Sequence, residues 1–450
     1  MLWTKGLRSL IAGEEADRLD LFWVFPGLRR FLAHRRHYAT LRTAGDLIFA
    51  FVVVVGLLGP QDPRENVAVF MAWGLWWPGV VLSWFFVGRM WCGICPFPGL
   101  GVYFQRRGLS LNLPIPGWLQ RHGAQASVVL LAAIIWSEVV AGLDRSPAGT
   151  SLLILAIIGG ALVLGVLFPG QAWCRHLCPL GRITGAAATL SITELRANHD
   201  RCRGCTTFAC KRGAAGQRGC PVYLGTYGIQ NNLHCLVCGH CLPLCQRDSP
   251  QLRLRNPYTE LIRNKGRYIT CSYIVPFLIG SQLARFFRSE ALYTEAMTVL
   301  GLPDAVAFSL LLAAAVACVH GLIRLGSRLF GITEDPAFGR FSPLVPVLLP
   351  MAFTGELVYR LGYFASGVGD FLPTLGRQLS LPLAGLAFRI PDFPVQILSA
   401  FFMMNGTIAG FYVLWRFSLE DFEGLVRFGN FLSVHLLVGL LLVAYLLVIL

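Results

Sequence analysis

The sequence predicts an all-α polytopic membrane protein with about nine transmembrane helices and one small α+β insertion. Hydrophobic residues make up 55% of its 450 residues and charged residues only 14%, whereas charged residues are about a quarter of a soluble protein. Apolar segments recur along the chain, each near the ~20 residues that a membrane-crossing helix requires. Among them, residues 190–268 form a stretch that is polar and long enough to fold outside a membrane.

The individual elements follow from the apolar segments in chain order. The candidate spans are 44–60, 68–88, 124–143, 151–169, 270–287, 303–323, 341–364, 394–415 and 430–450. They divide the chain into a basic N-terminal segment (1–43), a four-helix membrane domain (44–189), the polar insertion (190–268) and a C-terminal membrane domain of unknown role (269–450). The segment 365–393 is expected to be an outer loop, because glycine and proline punctuate it, and it could include a helix that lies on the membrane surface.

The distribution of arginine predicts the orientation of the chain. The formal net charge is +14, and positive charge near spans marks the cytoplasmic face. Segments 1–43, 89–123 and 170–269 are rich in arginine, which predicts a multi-pass protein of a bacterial inner membrane with its insertion facing the cytoplasm. Nucleic acid is not an expected partner, because the basic residues are spread over loops between apolar spans.

The strongest chemical signal is a run of cysteines in the insertion. Four cysteines at 2-2-3 spacing (235, 238, 241 and 245) are typical of two-cluster ferredoxins, in which three thiolates bind one cubane and the fourth binds another. The crossed pattern predicts two [4Fe-4S] clusters, one held by Cys202, Cys205, Cys210 and Cys245, the other by Cys220, Cys235, Cys238 and Cys241. Structural zinc is the alternative, since paired cysteines also build zinc ribbons.

The cysteine pattern departs from the common ferredoxin spacing in two places. Nine residues rather than three separate Cys210 from Cys220, and Gln246 rather than proline follows Cys245. The first departure predicts a longer loop between two ligands of different clusters.

A second pair of cysteine motifs follows spans two and four. Segments 91–96 and 173–179 both begin Trp-Cys and end Cys-Pro, and both should emerge on the same membrane face. Three interpretations stay open: a further iron–sulfur cluster, redox-active dithiols whose pKa the nearby Arg89, Arg175 and His176 lower, or a turn with packed thiols. A shared cluster, which we favour, would be bound by Cys92, Cys95, Cys174 and Cys178.

The paired Trp-Cys motifs, followed by two ferredoxin motifs, resemble the NapH/NosR-type membrane ferredoxins, and MauN-like and CcoG-like proteins share parts of the pattern. The resemblance covers roughly residues 44–268. It implies electron transfer between the quinone pool and redox partners of respiratory enzymes, while the CcoG-like branch implies copper reduction during oxidase assembly. The resemblance does not extend to the last ~180 residues.

Several polar residues inside the spans are further candidates. His320 and His435 could ligate a b-type haem, and Glu356 with Arg360 could form a quinone or proton site or simply a mutually satisfied pair four residues apart. Other residues are expected to have less specific roles. Asp46 and Glu138 should be solvated, and Cys271 and Cys318 should pack as small apolar groups. His234 and His240 should shield a cluster.

Together these features predict a membrane-bound protein that relays single electrons between a quinone pool or cytoplasmic donor and a respiratory partner. Expected partners are lipid, other subunits of a redox complex, an acidic redox protein attracted by the arginines, and quinone. Such a redox subunit would resemble a quinol dehydrogenase and act with its partners. The alternatives are a copper reductase that assists metalloenzyme assembly, and a structural or regulatory subunit.

Overall fold

The computed structural model describes residues 19–214, 216–263, 269–329, 344–420 and 428–449. Part of the predicted N-terminal segment, the predicted boundary at 268, the start of the span 341–364 and the final residue 450 lie outside these ranges. Within them the chain is mostly helical, and the β structure is one two-stranded sheet. Helices and a small sheet in the insertion agree with the predicted fold class.

Nine helices of twenty or more residues occur in the described ranges. They are Arg35–Leu58, Val67–Val87, Gly117–Val140, Pro147–Leu167, Ile269–Arg288, Asp304–Leu329, Leu344–Leu379, Asp392–Glu420 and Phe428–Ile449. Seven are long and apolar enough to cross a membrane, and the described apolar part of the last, Val434–Ile449, is shorter. Ile269–Arg288 is not among the seven, since Gln282, Arg285 and Arg288 lower its hydropathy.

Shorter helices precede or connect these long helices. They are Leu21–Val24, Pro26–Ala33, Met90–Ile94, Gly99–Arg106, Trp173–Leu177, Pro179–Ala187, His199–Cys202, Ala209–Arg212, Thr259–Arg263 and Ala291–Leu300. The segment Phe70–Trp76, inside Val67–Val87, is a π-helical stretch, a feature often found near functional sites. The helix Leu344–Leu379 continues well past 364, so the expectation of an outer loop from 365 was wrong for its first fifteen residues.

The chain divides into two compact units. Unit 1 comprises residues 1–53, 82–127 and 152–260, and unit 2 comprises residues 54–81, 128–151 and 261–450.

In unit 1, the strands Thr193–Ala197 and Pro250–Leu254 pair antiparallel, with Thr193 opposite Leu254. Phe22 and Leu32, from the two short N-terminal helices, pack into the same core as Leu195, Cys235 and Leu252. The insertion therefore obtains part of its hydrophobic core from residues that precede the first long helix.

In unit 2, the helix Leu344–Leu379 packs against Ile269–Arg288 and Asp392–Glu420. Residues 270–282 are buried along every face. A mostly apolar helix that is enclosed by protein resembles a membrane span in its sequence. That the segment 270–287 crosses a membrane stays a prediction.

Charged side chains form a buried network in unit 2. The Arg360 guanidinium contacts both carboxylate oxygens of Glu138, at 2.6 and 3.1 Å, and Oε1 of Glu356 at 2.9 Å. Arg285 Nη2 lies 2.8 Å from the other Glu356 oxygen. The predicted pairing of Glu356 with Arg360 is confirmed, whereas the expected solvation of Glu138 was wrong: its carboxylate compensates Arg360, and the residue is 2% exposed.

We predict that Glu356→Gln destabilises unit 2 strongly, because it leaves two buried guanidinium groups with less negative charge. Removing one partner of a buried ion pair costs about 3–5 kcal/mol. Thermal unfolding in detergent measures the loss. The matched control is Asp392→Asn, which breaks the exposed Arg389–Asp392 pair and should change the unfolding temperature little. Equal losses in the two variants would contradict the importance of the network.

Candidate iron–sulfur centres

The first predicted ligand set, the outer group, consists of Cys202, Cys205, Cys210 and Cys245. All four line a single cavity of about 300 Å³. The short helices His199–Cys202 and Ala209–Arg212 carry Cys202 and Cys210, Cys205 lies in the segment between them, and Cys245 comes from the downstream run. Cys205 is half-buried and follows the exposed Arg203 and Gly204, so this group lies near the surface of unit 1.

Hydrogen bonds reach the sulfurs of the outer group. The Ser249 hydroxyl lies 3.0 Å from Cys202 Sγ, and the Ser249 N–H donates to Cys245 Sγ at 3.3 Å. The backbone N–H of Phe208 and the Thr207 hydroxyl lower the pKa of the Cys205 thiol below its usual range. Donors of this kind stabilise thiolates and tune the potential of a bound cluster.

The nine residues between Cys210 and Cys220 form a loop whose two ends meet. The Cys220 N–H donates to the Cys210 carbonyl oxygen at 3.0 Å, so the two cysteines are neighbours although nine residues separate them in the sequence. The predicted longer loop is therefore present, and its ends close as the crossed ligand pattern requires.

The second predicted ligand set, the middle group, consists of Cys220, Cys235, Cys238 and Cys241. Cys220 interacts electrostatically with each of the other three. Burial raises the pKa of Cys235 to about 11 and that of Cys241 to about 12, and neighbouring thiols add to the shift. Free thiols here would stay protonated at neutral pH, so metal binding has to displace their protons.

The inner group consists of Cys92, Cys95, Cys174 and Cys178. Cys95 ends the helix Met90–Ile94, and Cys178 precedes Pro179, the first residue of the helix Pro179–Ala187. The Gly181 N–H donates to Cys178 Sγ at 3.2 Å, so this sulfur caps the helix. Cys95 interacts electrostatically with all three other members, which shows that both Trp-Cys motifs deliver their thiols to one place.

The chemistry of the inner thiols opposes one of the alternatives. Burial, followed by the neighbouring thiols, raises the pKa of Cys95 well above its ordinary value, and burial raises that of Cys178 to about 11. Burial and nearby arginines lower the pKa of His176 to about 4, so its imidazole is neutral. Redox-active dithiols would need a lowered pKa, which is the opposite of the shift found here.

The inner and middle groups touch. A Cβ built on Gly93 would lie 3.1 Å from Cys238 Cβ, 3.2 Å from the Leu236 carbonyl oxygen and 2.5 Å from the Tyr38 hydroxyl. Only a residue without a side chain fits between the two groups at this point.

A site that holds a single metal ion is the alternative to a cluster. Within the described ranges, no three His, Cys, Asp or Glu side chains are arranged to hold one metal ion. Sulfurs that bind different irons of a cubane lie farther apart than sulfurs on one ion. The inner group also has a buried cation, Arg89. Its positive charge would compensate the negative charge of a bound cluster.

The remaining candidates lie in unit 2. The helices that carry His320 and His435 contact each other, and the His435 ring stacks on Phe411 with centroids 5.0 Å apart. Haem ligation by this pair stays a prediction. Cys271 is buried, as expected, whereas Cys318 is exposed. Ser249, which contacts two sulfurs of the outer group, was not predicted from the sequence, since it belongs to no metal-binding motif.

Fold and site together describe a helical protein with cysteine groups suited to iron–sulfur clusters, and comparison with known proteins supports this class. Residues 69–120 and 150–191 match the family described as a 4Fe-4S binding domain. The matched segments contain all four cysteines of the inner group. This similarity supports iron–sulfur cluster binding.

Two curated relatives are similar to parts of the chain. The protein MJ0749 of Methanocaldococcus jannaschii, whose name assigns no activity, is 28% identical over 175 residues, which cover 37% of this chain and 65% of the relative. YccM of Escherichia coli, whose name provisionally assigns it to electron transport, is 29% identical over 99 residues, which cover 22% of this chain and 25% of the relative. The chain thus spans less than two thirds of each relative. No solved structure matches the chain.

We predict that Gly93→Ala weakens iron binding, because the added methyl group forces the inner and middle groups apart. Overpacking of this kind costs about 1–3 kcal/mol. Iron per chain and the unfolding temperature should both fall. The control is Gly45→Ala, where the new Cβ meets the Ile94 carbonyl oxygen at an ordinary 3.9 Å. The same iron content in Gly93→Ala, Gly45→Ala and the unaltered protein would refute the close contact.

Proposed function

We propose that this protein is a membrane-bound iron–sulfur electron carrier that relays single electrons through three [4Fe-4S] clusters. The outer cluster would be held by Cys202, Cys205, Cys210 and Cys245, the middle one by Cys220, Cys235, Cys238 and Cys241, and the inner one by Cys92, Cys95, Cys174 and Cys178. The cysteine thiolates would hold the clusters, which would supply one-electron transfer with no bond made or broken. The clusters supply the redox chemistry, and the protein supplies the ligands and their spacing.

The observation that carries this proposal is the contact between successive cysteine groups. The Cys210–Cys220 hydrogen bond joins the outer and middle groups, and Gly93 joins the middle group to the inner one. Three separate cofactors would not need such packing, whereas electron transfer between clusters requires short distances. Cys205 is half-buried beside the exposed Arg203 and Gly204, whereas Cys178 is buried, which supports a solvent end and an interior end of the series.

The solvent end suits an acidic redox protein. Arg201 and Arg247 line the outer cavity beside its cysteines, and positive charge at the rim of a site accelerates association with a negative partner. The interior end follows the candidate spans Val67–Val87 and Pro147–Leu167. We propose quinone in a bacterial inner membrane as the partner there, in a respiratory complex of the NapH/NosR type.

The alternative function of a copper-reducing assembly factor has less support. It requires accessible, reactive dithiols outside the clusters. Cys178 is buried, and burial raises the pKa of Cys95 and Cys174 well above the usual thiol value. The inner thiols are therefore poor donors to an external copper ion.

The relay predicts that Cys238→Ser interrupts electron flow without abolishing reduction of the outer cluster. The unaltered protein and the variant are mixed with a reduced acidic ferredoxin, and EPR spectra are recorded after rapid freezing. The outer signal should develop in both proteins, and the inner signal only in the unaltered one. The control is Cys318→Ser, which lies outside the three groups. An inner signal that develops at the same rate in Cys238→Ser and the unaltered protein would contradict a linear relay.

The proposed orientation has its own test. Reporter fusions at residue 210 and within 107–116 should report the cytoplasm, and fusions within 61–66 should report the outer side, because the arginine-rich segments remain cytoplasmic. A cytoplasmic signal from 61–66 together with an external signal from 210 would reverse the orientation and exclude a cytoplasmic donor.

A further inference from the structure

Arg89 lies between the inner and middle cysteine groups. It is 4% exposed, and its Nη1 donates to the Leu233 carbonyl oxygen at 2.6 Å, two residues before Cys235. Its Nη2 lies 3.3 Å from the position that a Cβ on Gly181 would occupy, and the Gly181 N–H donates to Cys178 Sγ. The guanidinium thus donates to the backbone near Cys235 and lies beside the residue that caps Cys178.

The electrostatic environment of Arg89 connects the same two groups. The guanidinium interacts with Cys174 and Cys178 of the inner group and with Cys235 of the middle group. Tight packing keeps it in place: a Cβ on Gly185 would lie 3.4 Å from Arg89 Nη1 and 2.6 Å from the Leu233 oxygen.

Arg89 differs from the other buried arginines of the described ranges. Arg255, Arg285 and Arg360 each form an ion pair with a buried glutamate. Arg89 has no carboxylate within ion-pair distance in the part of the chain that the structure describes, and its Nε has no hydrogen-bond partner there. A buried guanidinium without a counter-charge is costly. The negative groups available to it are the sulfurs on either side.

We propose that Arg89 is the shared counter-charge of the inner and middle clusters and raises the reduction potential of both. This inference rests on the proposed function, since it requires clusters in both groups. A cluster that accepts an electron gains one negative charge, and a fixed cation nearby stabilises that reduced form. The effect is large because the site is buried, where charges interact more strongly than in water. Arg89 is thus a residue that tunes electron transfer rather than a ligand.

The test is a redox titration of the full-length protein and Arg89→Gln, with dithionite as reductant, soluble mediators and detection by EPR. We expect the ratio of reduced to oxidised cluster at a fixed potential to fall at least tenfold for the inner and middle clusters. A tenfold fall corresponds to a reduction potential lowered by 59 mV for a one-electron couple. The outer cluster should change less than twofold. The matched control is Arg247→Gln, which removes a charge near Cys205 and should affect the outer cluster alone.

Arg89→Lys separates charge from geometry. It keeps the positive charge but loses the planar guanidinium, so the inner and middle ratios should stay within twofold of the unaltered protein. Equal shifts in Arg89→Lys and Arg89→Gln, or unchanged ratios in Arg89→Gln, would overturn the proposal. If Arg89→Gln binds no inner cluster, loading of Arg89→Lys supports the charge role, and failure of both variants overturns it. Absence of an inner signal in the unaltered protein would contradict the proposed function itself.

Discussion

The close packing of the inner and middle cysteine groups is the constraint on which the arrangement of unit 1 depends. Gly93 lies against Cys238 and Leu236 with no space for a side chain. The segment after the helix Val67–Val87 must therefore reach the cysteine run of the insertion directly. The proline after each Trp-Cys motif turns the chain at this point, because a proline cannot continue the preceding helix. The ferredoxin-like insertion and the paired motifs consequently form a single packed site within unit 1.

Buried charges anchor this site from outside the cysteine groups. Arg255, which is 1% exposed, pairs with Glu260 and donates to the carbonyl oxygens of Ser191 and Thr189 at 2.9 and 2.8 Å. It ties the end of the insertion to the chain that follows the helix Pro179–Ala187. Asn232 makes a similar link. Its backbone N–H donates to Glu260 at 2.9 Å, and its side-chain amide donates to the Thr193 carbonyl oxygen at 2.8 Å. A small domain with few apolar residues gains stability from such links and from its metal.

The structure brings together the cysteine groups that were predicted from the sequence, whereas their surroundings were not predicted. Ligand spacing is local and chemically demanding, so Cys202 to Cys245 and the paired motifs could be assigned to groups before the fold was known. Arg89 could be placed near the paired motifs, but its position beside two cysteine groups without a carboxylate partner could not be predicted, because only three-dimensional contacts reveal it. Phe22 and Leu32 were assigned to a basic segment, since charge in the sequence hid their apolar face. Glu138 was expected to be solvated because its partner Arg360 is distant in the chain.

The central claim is that the inner group binds an iron–sulfur cluster in addition to the two of the insertion. The most direct measurement is the content of iron and acid-labile sulfide per chain after anaerobic purification of the full-length protein. Three [4Fe-4S] clusters require about twelve of each per chain. A stable value of about eight, with the four inner thiols free to react after denaturation, would contradict the account.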